Sequence, residues 1–227
     1  KENEIAYSVE VLGVDEIKQT NKGQTPEIIN SFNGVSIQKS QLGGGSPIIR
    51  GLEANRVLLV CDGIRLNNAI YRSGHLQNSL SIDPHILESV EVVFGPSSTL
   101  YGSDALGGVI SYNYLEAEDI VQEGKSYGIE IPLSFSGQNS GSSRAIKWAG
   151  INEDAGLSAI AIYSYETSGQ IHSKHHEEVS NYINEIDRES NGYYFNLKKS
   201  INDNSSIALT YDKIDRDTDH VLASKNL

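Results

Sequence analysis

Glu88-Ser-Val-Glu-Val-Val-Phe-Gly95-Pro96-Ser-Ser-Thr-Leu-Tyr101-Gly102-Ser-Asp-Ala-Leu-Gly107-Gly108-Val-Ile110 is the stretch on which the reading of the fold turns. Val90 to Phe94 is β-branched or aromatic except at Glu91, which predicts a strand. Gly95-Pro96 ends it, because proline has no N–H to give a ladder and glycine accepts the left-handed backbone of a turn. Gly107-Gly108 predicts a second tight turn before the apolar Val109 and Ile110.

Working upstream, Arg56 to Cys61 predicts another strand, closed by the hairpin-type turn Asp62-Gly63 ahead of Ile64-Arg65-Leu66. Val35 to Gln38 and Ile48 to Arg50 read as further strands, and Ile5 to Val11 as the first. Asp15-Glu16-Ile17 opens a short helix. Thr25-Pro26-Glu27 is a second helix entry, with threonine able to cap, proline suited to the first helical position and the acid complementing the helix dipole. Gly34 is placed to stop it. Short strands interleaved with short helices predict a mixed sheet in an α+β unit, assigned to residues 1–118.

The second half changes period. In Tyr127-Gly-Ile129-Glu-Ile131-Pro-Leu133-Ser-Phe135 the odd positions are apolar, and Tyr193 to Leu197 and Ile207 to Tyr211 alternate in the same way. Leu157 to Tyr165 alternates less cleanly, and Pro132 sits awkwardly inside a strand. Asn152 to Gly156 and Asn202 to Ser205 read as tight turns, with a long polar loop from Ser168 to Ser190 between them. Short turns at one end and a long loop at the other match an outer-membrane barrel, with Trp148, Tyr163, Tyr165, Tyr193 and Tyr211 suited to its interfacial girdles. A soluble β-sandwich alternates with the same period and remains open on this half alone.

Composition narrows the classes. The 227 residues carry 30 acidic and 18 basic side chains, a net charge of −12, so no basic stripe is available for nucleic acid. No apolar run approaches the ~18 residues of a membrane helix, which leaves strands as the only means of crossing a bilayer. Cys61 is the single cysteine, so neither an intrachain disulfide nor a CxxC metal site is available. It sits in an apolar run and is expected to be a buried strand residue. Walker A, HExxH, GxSxG and GxGxxG patterns are absent, and no enzyme is expected. Lys1-Glu2-Asn3-Glu4 is no signal peptide and no initiator methionine precedes it, so the natural start is expected to have been removed.

Ile49-Arg50-Gly51-Leu52, then Asn55 to Arg65, and the opening stretch Glu88 to Ile110 resemble the plug of TonB-dependent outer-membrane receptors. That resemblance covers residues 5–125 and implies an α+β plug domain followed by antiparallel transmembrane β-barrel strands, with residues 119–227 as the amino-terminal portion of the barrel. Family knowledge implies that Arg50, Arg56, Glu88 and Glu91 hold plug and barrel together, and that Gly51, Gly95, Pro96, Tyr101, Gly102, Gly107 and Gly108 shape the plug. Barrels of this class close with about 22 strands. Residues 126–227 supply about five, so the barrel is expected to be incomplete here, with the TonB box lying upstream of Ile5. The implied partners are the TonB–ExbB–ExbD energy-coupling complex and outer-membrane lipid, in a Gram-negative bacterium.

Within the plug, Asn67 to Pro84 is similar to the heme and hemoglobin branch of the family, where a Gly-His-Leu step precedes an Asp-Pro. Gly74-His75-Leu76 and Asp83-Pro84 are those steps here. The resemblance implies that His75 is an axial ligand of transported heme at the plug apex, and a neutral imidazole suits that iron. Arg72 is a candidate partner for a propionate, and Tyr71 for stacking or phenolate ligation. His172, His175 and His176 cluster in the long loop as candidate accessory contacts, whereas His85 reads as structural. No intrinsic cofactor is expected, and heme enters as cargo. The alternatives are a ferric siderophore or cobalamin receptor, and, from another class, a non-transporting surface-binding protein whose gene would end near Leu227.

Overall fold

The computed structural model describes residues 8–20, 25–38, 45–66, 82–136, 141–168, 186–202 and 204–220. The chain divides into two compact units, residues 1–115 and 116–227.

The first unit is built on a five-stranded mixed sheet. Its strands are β1 (Ser8–Gly13), β4 (Val57–Cys61), β5 (Ile64–Arg65), β6 (Leu87–Phe94) and β7 (Gly108–Tyr114), in the order β1-β6-β7-β4-β5. β4 runs parallel to β7, with Leu59 opposite Ile110, and the other pairs are antiparallel. All five residues of β4 are buried, which explains its unbroken apolar run: both faces of a parallel-paired central strand are covered. On one face Val57, Leu59, Cys61, Val90, Val92, Phe94, Ile110 and Tyr112 pack with Ile17 of α1 (Val14–Thr20) and Ile28 and Ile29 of α2 (Thr25–Ile29). The opposite face gathers Leu58, Val60, Val93, Ala105 and Val109. A two-stranded sheet, β2 (Val35–Gln38) with β3 (Ser46–Ile49), adds Val35 and Ile49 to the first cluster, and α3 spans Ser98–Tyr101. Cys61 is buried, as expected of a strand residue.

Several turns differ from the expectation for physical reasons. Arg50 is not a strand residue: with φ 50° and 81°, Arg50 and Gly51 form a primed two-residue turn. Ile49 and Leu52 exchange backbone hydrogen bonds of 2.9 Å across it. Asp62-Gly63 has the same left-handed pair (φ 44° and 79°) and makes the predicted hairpin turn. Gly107-Gly108 is a close approach rather than a turn. A Cβ on Gly108 would meet the Val93 carbonyl oxygen at 2.4 Å, and one on Gly107 would meet Leu52 Cβ at 2.8 Å. The Thr25 hydroxyl donates to the Ile82 carbonyl at 2.8 Å, a long-range contact that the helix-entry reading did not contain.

The second unit is an antiparallel sheet of β8 (Tyr127–Glu130), β9 (Leu133–Ser136), β10 (Gly141–Asn152), β11 (Leu157–Ser168), β12 (Ile186–Asn202) and β13 (Ser205–His220). The expected strand Tyr127 to Phe135 is two strands. Pro132 lies in the gap between β8 and β9, and its carbonyl accepts from Ala145 at 3.1 Å. Both pieces pair with the same edge of β10, so six strands fill five positions. β12 begins at Ile186, four residues before the expected end of the long loop. A 3₁₀ turn at Ala117–Asp119 precedes the sheet, closed by a reciprocal capping box of Glu116 and Asp119. The chain leaving the turn passes close to β8, where Gly128 has no side chain; a Cβ there would stand 2.4 Å from the Ile120 carbonyl oxygen.

The faces of this sheet are inverted relative to a soluble sandwich. Tyr127, Ile129, Leu133, Phe135, Ile146, Trp148, Tyr163, Tyr193, Ile207, Leu209 and Tyr211 are exposed. The face between them buries Ala145, Lys147, Ala149, Ser164, Arg188 and Ser190 together with Ile160, Ile162 and Tyr194. Large apolar groups outward, with mostly small or polar groups inward beside Ile160, Ile162 and Tyr194, is close to the alternation of a strand between lipid and lumen.

Gly108→Ala is expected to cost roughly 1–3 kcal/mol, because it adds backbone strain to a clash with an immobile carbonyl. Gly13→Ala, where an added methyl group would meet nothing within 4 Å, serves as the near-neutral control. Urea unfolding of both variants checks this, and equal midpoints would refute it.

Candidate functional site

The segment expected to carry the ligand is held at both ends by the plug core. At its amino-terminal end Leu66 donates its amide to the Leu59 carbonyl of β4 at 3.0 Å. At its carboxyl-terminal end Ile82 is 2% exposed and its carbonyl accepts the Thr25 hydroxyl. The buried Asp83 carboxylate then accepts from the His85 amide at 2.8 Å, capping the 3₁₀ turn Pro84–Ile86. His85 thus gives its backbone amide to the cap. His75, Tyr71 and Arg72 lie between these anchors, outside the described residues, as do His172, His175 and His176.

The residues expected to hold the plug in place and to shape it sit as follows. The Arg50 guanidinium stands 5.2 Å from the centroid of the Phe94 ring, a cation–π contact that fits an exposed turn residue. Arg56 ends a short 3₁₀ turn (Ala54–Arg56), and its carbonyl accepts the Gly107 amide at 2.7 Å. Glu88 accepts from the Ser89 hydroxyl at 2.7 Å, and Glu91 is half-buried on β6. Gly95 (φ 94°) breaks β6 before the exposed Pro96, and Gly102 (φ 86°) ends α3 after the exposed Tyr101.

Three polar clusters escaped the sequence reading. Arg65 of β5 donates 2.5 Å bonds to the Ser103 carbonyl and the Asp104 carboxylate, bracing a turn in which Asp104 itself has φ 74°. In the second unit Lys198 of β12 bonds both Glu116 oxygens at 2.7 and 2.8 Å, so the first residue of that unit is tied to the sheet wall. On the buried face, Arg188 approaches Glu166 at 3.6 Å. Each cluster joins residues far apart in sequence, and spacing alone gives no sign of it. The buried placement of Lys147 was legible, because strict alternation puts it on the same face as Ala145 and Ala149.

Residues 1–109 match the family model described as the TonB-dependent receptor plug domain. The hemin receptor of Yersinia enterocolitica is 34% identical over 129 residues, covering 56% of this chain and 18% of that protein. The vitamin B12 transporter BtuB of Vibrio vulnificus is 37% identical over 112 residues, 48% of this chain and 18% of its own length. Among solved structures, the pyoverdine outer-membrane receptor FpvA of Pseudomonas aeruginosa PAO1 superposes with a TM-score of 0.73 at 17% identity, over 96% of this chain and 29% of that one. The fold is thus a receptor plug followed by antiparallel wall strands. Residues 1–109 belong to the plug-domain family of TonB-dependent receptors, and the chain as a whole is similar to such receptors in sequence and fold. Its matches reach less than a fifth of the length of these curated relatives.

Arg65→Ala is expected to destabilise by about 1 kcal/mol, a partly exposed charge-assisted contact being worth no more. Amide exchange at residues 103–106 is expected to accelerate. Unchanged exchange there would show that the turn holds itself.

Proposed function

We propose that the protein is a receptor for active uptake of heme or hemoglobin-derived heme across the outer membrane. The observation that carries this reading is the Gly74-His75-Leu76 step in a segment whose two ends are fixed by the core, at Leu66 and at Ile82-Asp83. Fixed ends limit the entropy lost on binding a ligand. In this reading heme docks from the outside, His75 provides an axial nitrogen to the iron, Arg72 pairs with a propionate and Tyr71 stacks on the porphyrin. The histidines at 172, 175 and 176 are accessory contacts at the outer rim. Arg50, Arg56, Glu88 and Glu91 are assigned to holding the plug in place. The TonB–ExbB–ExbD complex then draws on the plug and opens the path. The energy arrives through that complex, so no nucleotide site is required.

The similarity to the Yersinia hemin receptor supports heme, while the comparable similarity to a vitamin B12 transporter keeps cobalamin, and beside it a ferric siderophore, as the second reading. The apolar outward face of β8 to β13 supports lipid as the surrounding medium of the second unit.

A hemin titration read by Soret absorbance distinguishes the readings. A histidine-type spectrum is expected for the parent and is lost in His75→Ala. Binding of hemin that ignores the substitution removes His75 from the mechanism, and binding of cobalamin or a ferric siderophore in place of hemin establishes the second reading.

A further inference from the structure

On the buried face of the second unit, three strands bring two guanidinium groups and a carboxylate into adjacent register. Glu166 of β11 lies opposite Ser190 of β12, and Ser190 opposite Arg216 of β13. Arg188 is two residues before Ser190 on β12 and therefore on the same face. Arg188 and Ser190 are each 4% exposed. Burial at that level normally obliges a guanidinium to satisfy its N–H groups, since an unmatched buried charge is costly. Arg188 does not do so: its Nε and Nη1 have no hydrogen-bond partner among the described residues. Its Nη2 is 3.6 Å from Glu166, an ion-pair distance rather than a hydrogen bond. The neighbouring Ser190 adds a hydroxyl donor, and Arg216 a second positive charge, in a chain whose net charge is −12. An arginine that is buried, charged and short of acceptors is matched by an incoming oxyanion.

We propose that Arg188, flanked by Ser190 and Arg216, is an anion seat that receives a carboxylate of the transported chelate, and that Glu166 competes with that carboxylate from within the wall. The inference rests on the transport reading above and names a chemical feature of its cargo: at least one ionised carboxylate, presented to the wall strands rather than to the plug. No bond is made or broken; the cargo's carboxylate takes the acceptor position that Arg188 lacks. Glu166 sets the strength of the seat, because its negative charge lowers the affinity for a second anion at the same guanidinium.

The test uses the receptor expressed from its own gene and purified in detergent, with hemin, hemin dimethyl ester and ferric citrate as probes. Arg188→Gln is expected to weaken hemin and ferric citrate binding about 10-fold, the worth of one charge-assisted bond. It is expected to leave the dimethyl ester, which has no carboxylate, unchanged. Glu166→Gln, nearly isosteric, is expected to tighten both anionic probes, an effect that a purely structural ion pair does not produce. Equal loss of acid and ester in Arg188→Gln, or no tightening in Glu166→Gln, overturns the seat. Soret binding that depends on His75 but not on Arg188 also overturns it while leaving the heme reading intact. Ferric citrate binding that depends on Arg188, with no hemin binding at all, upholds the seat and sinks the heme reading. Failure of every probe with the parent protein overturns both.

Discussion

A sheet that turns its large side chains outward is stable only where water is absent from that side, and the whole of the second unit depends on this constraint. Trp148, Ile146, Tyr163, Tyr193, Leu209 and Tyr211 occupy exposed positions, whereas Lys147, Arg188 and Ser190 are buried. At about 25 cal/mol per Å² of apolar surface, leaving such a band in water forfeits the burial that normally stabilises a sheet. In hydrocarbon the balance reverses: apolar groups lose nothing by facing lipid, and every backbone polar group must find its partner in the ladder. The long unbroken registers of β10 with β11, β11 with β12 and most of β12 with β13 supply those partners. The tilted Tyr163–Tyr193 pair, with centroids 5.4 Å apart, adds cross-strand contact on the outward face, and the Tyr163 hydroxyl finds an acceptor in Asn191.

The first unit obeys the opposite rule and has a conventional core. Its central strand β4 is covered on both faces and runs parallel to β7, and β7 can begin tight against the Val93 carbonyl of β6 because Gly108 carries no Cβ. The two primed turns, at Arg50-Gly51 and Asp62-Gly63, reverse the chain within two residues each and match the twist of the strands they join. Such compact turns let a small sheet be framed by short helices, and the same core supplies the anchors at Leu66 and Ile82.

Where charge is placed separates the two units as well. In the plug, Arg65 and Arg50 are spent on turns, one bracing Ser103 and Asp104, the other lying over Phe94. In the wall, Lys198 ties Glu116 and so fixes where the second unit starts. Arg188 is different, because its local partners do not satisfy it. Two of its nitrogens lack a hydrogen bond while the third faces Glu166 at 3.6 Å, and the proposed anion seat rests on that imbalance.

The sequence by itself determined several strands and their period: the apolar run of β4, the alternation in Tyr127 to Phe135, Tyr193 to Leu197 and Ile207 to Tyr211, the punctuation at Gly95-Pro96, and the hairpin turn at Asp62-Gly63. Local propensity and periodicity carry that information, because each depends on neighbours within a few residues. It also determined the family resemblance through the order of its motifs. Only the tertiary structure decided that Arg50 turns rather than extends, that Gly107-Gly108 marks a close approach, and that Pro132 splits a strand in two. Only it decided that Thr25 bonds Ile82, that Glu116 meets Lys198 and that Glu166 lies beside Arg188. Those outcomes depend on which groups stand close together after folding, a quantity set by register between distant strands and invisible to spacing along the chain.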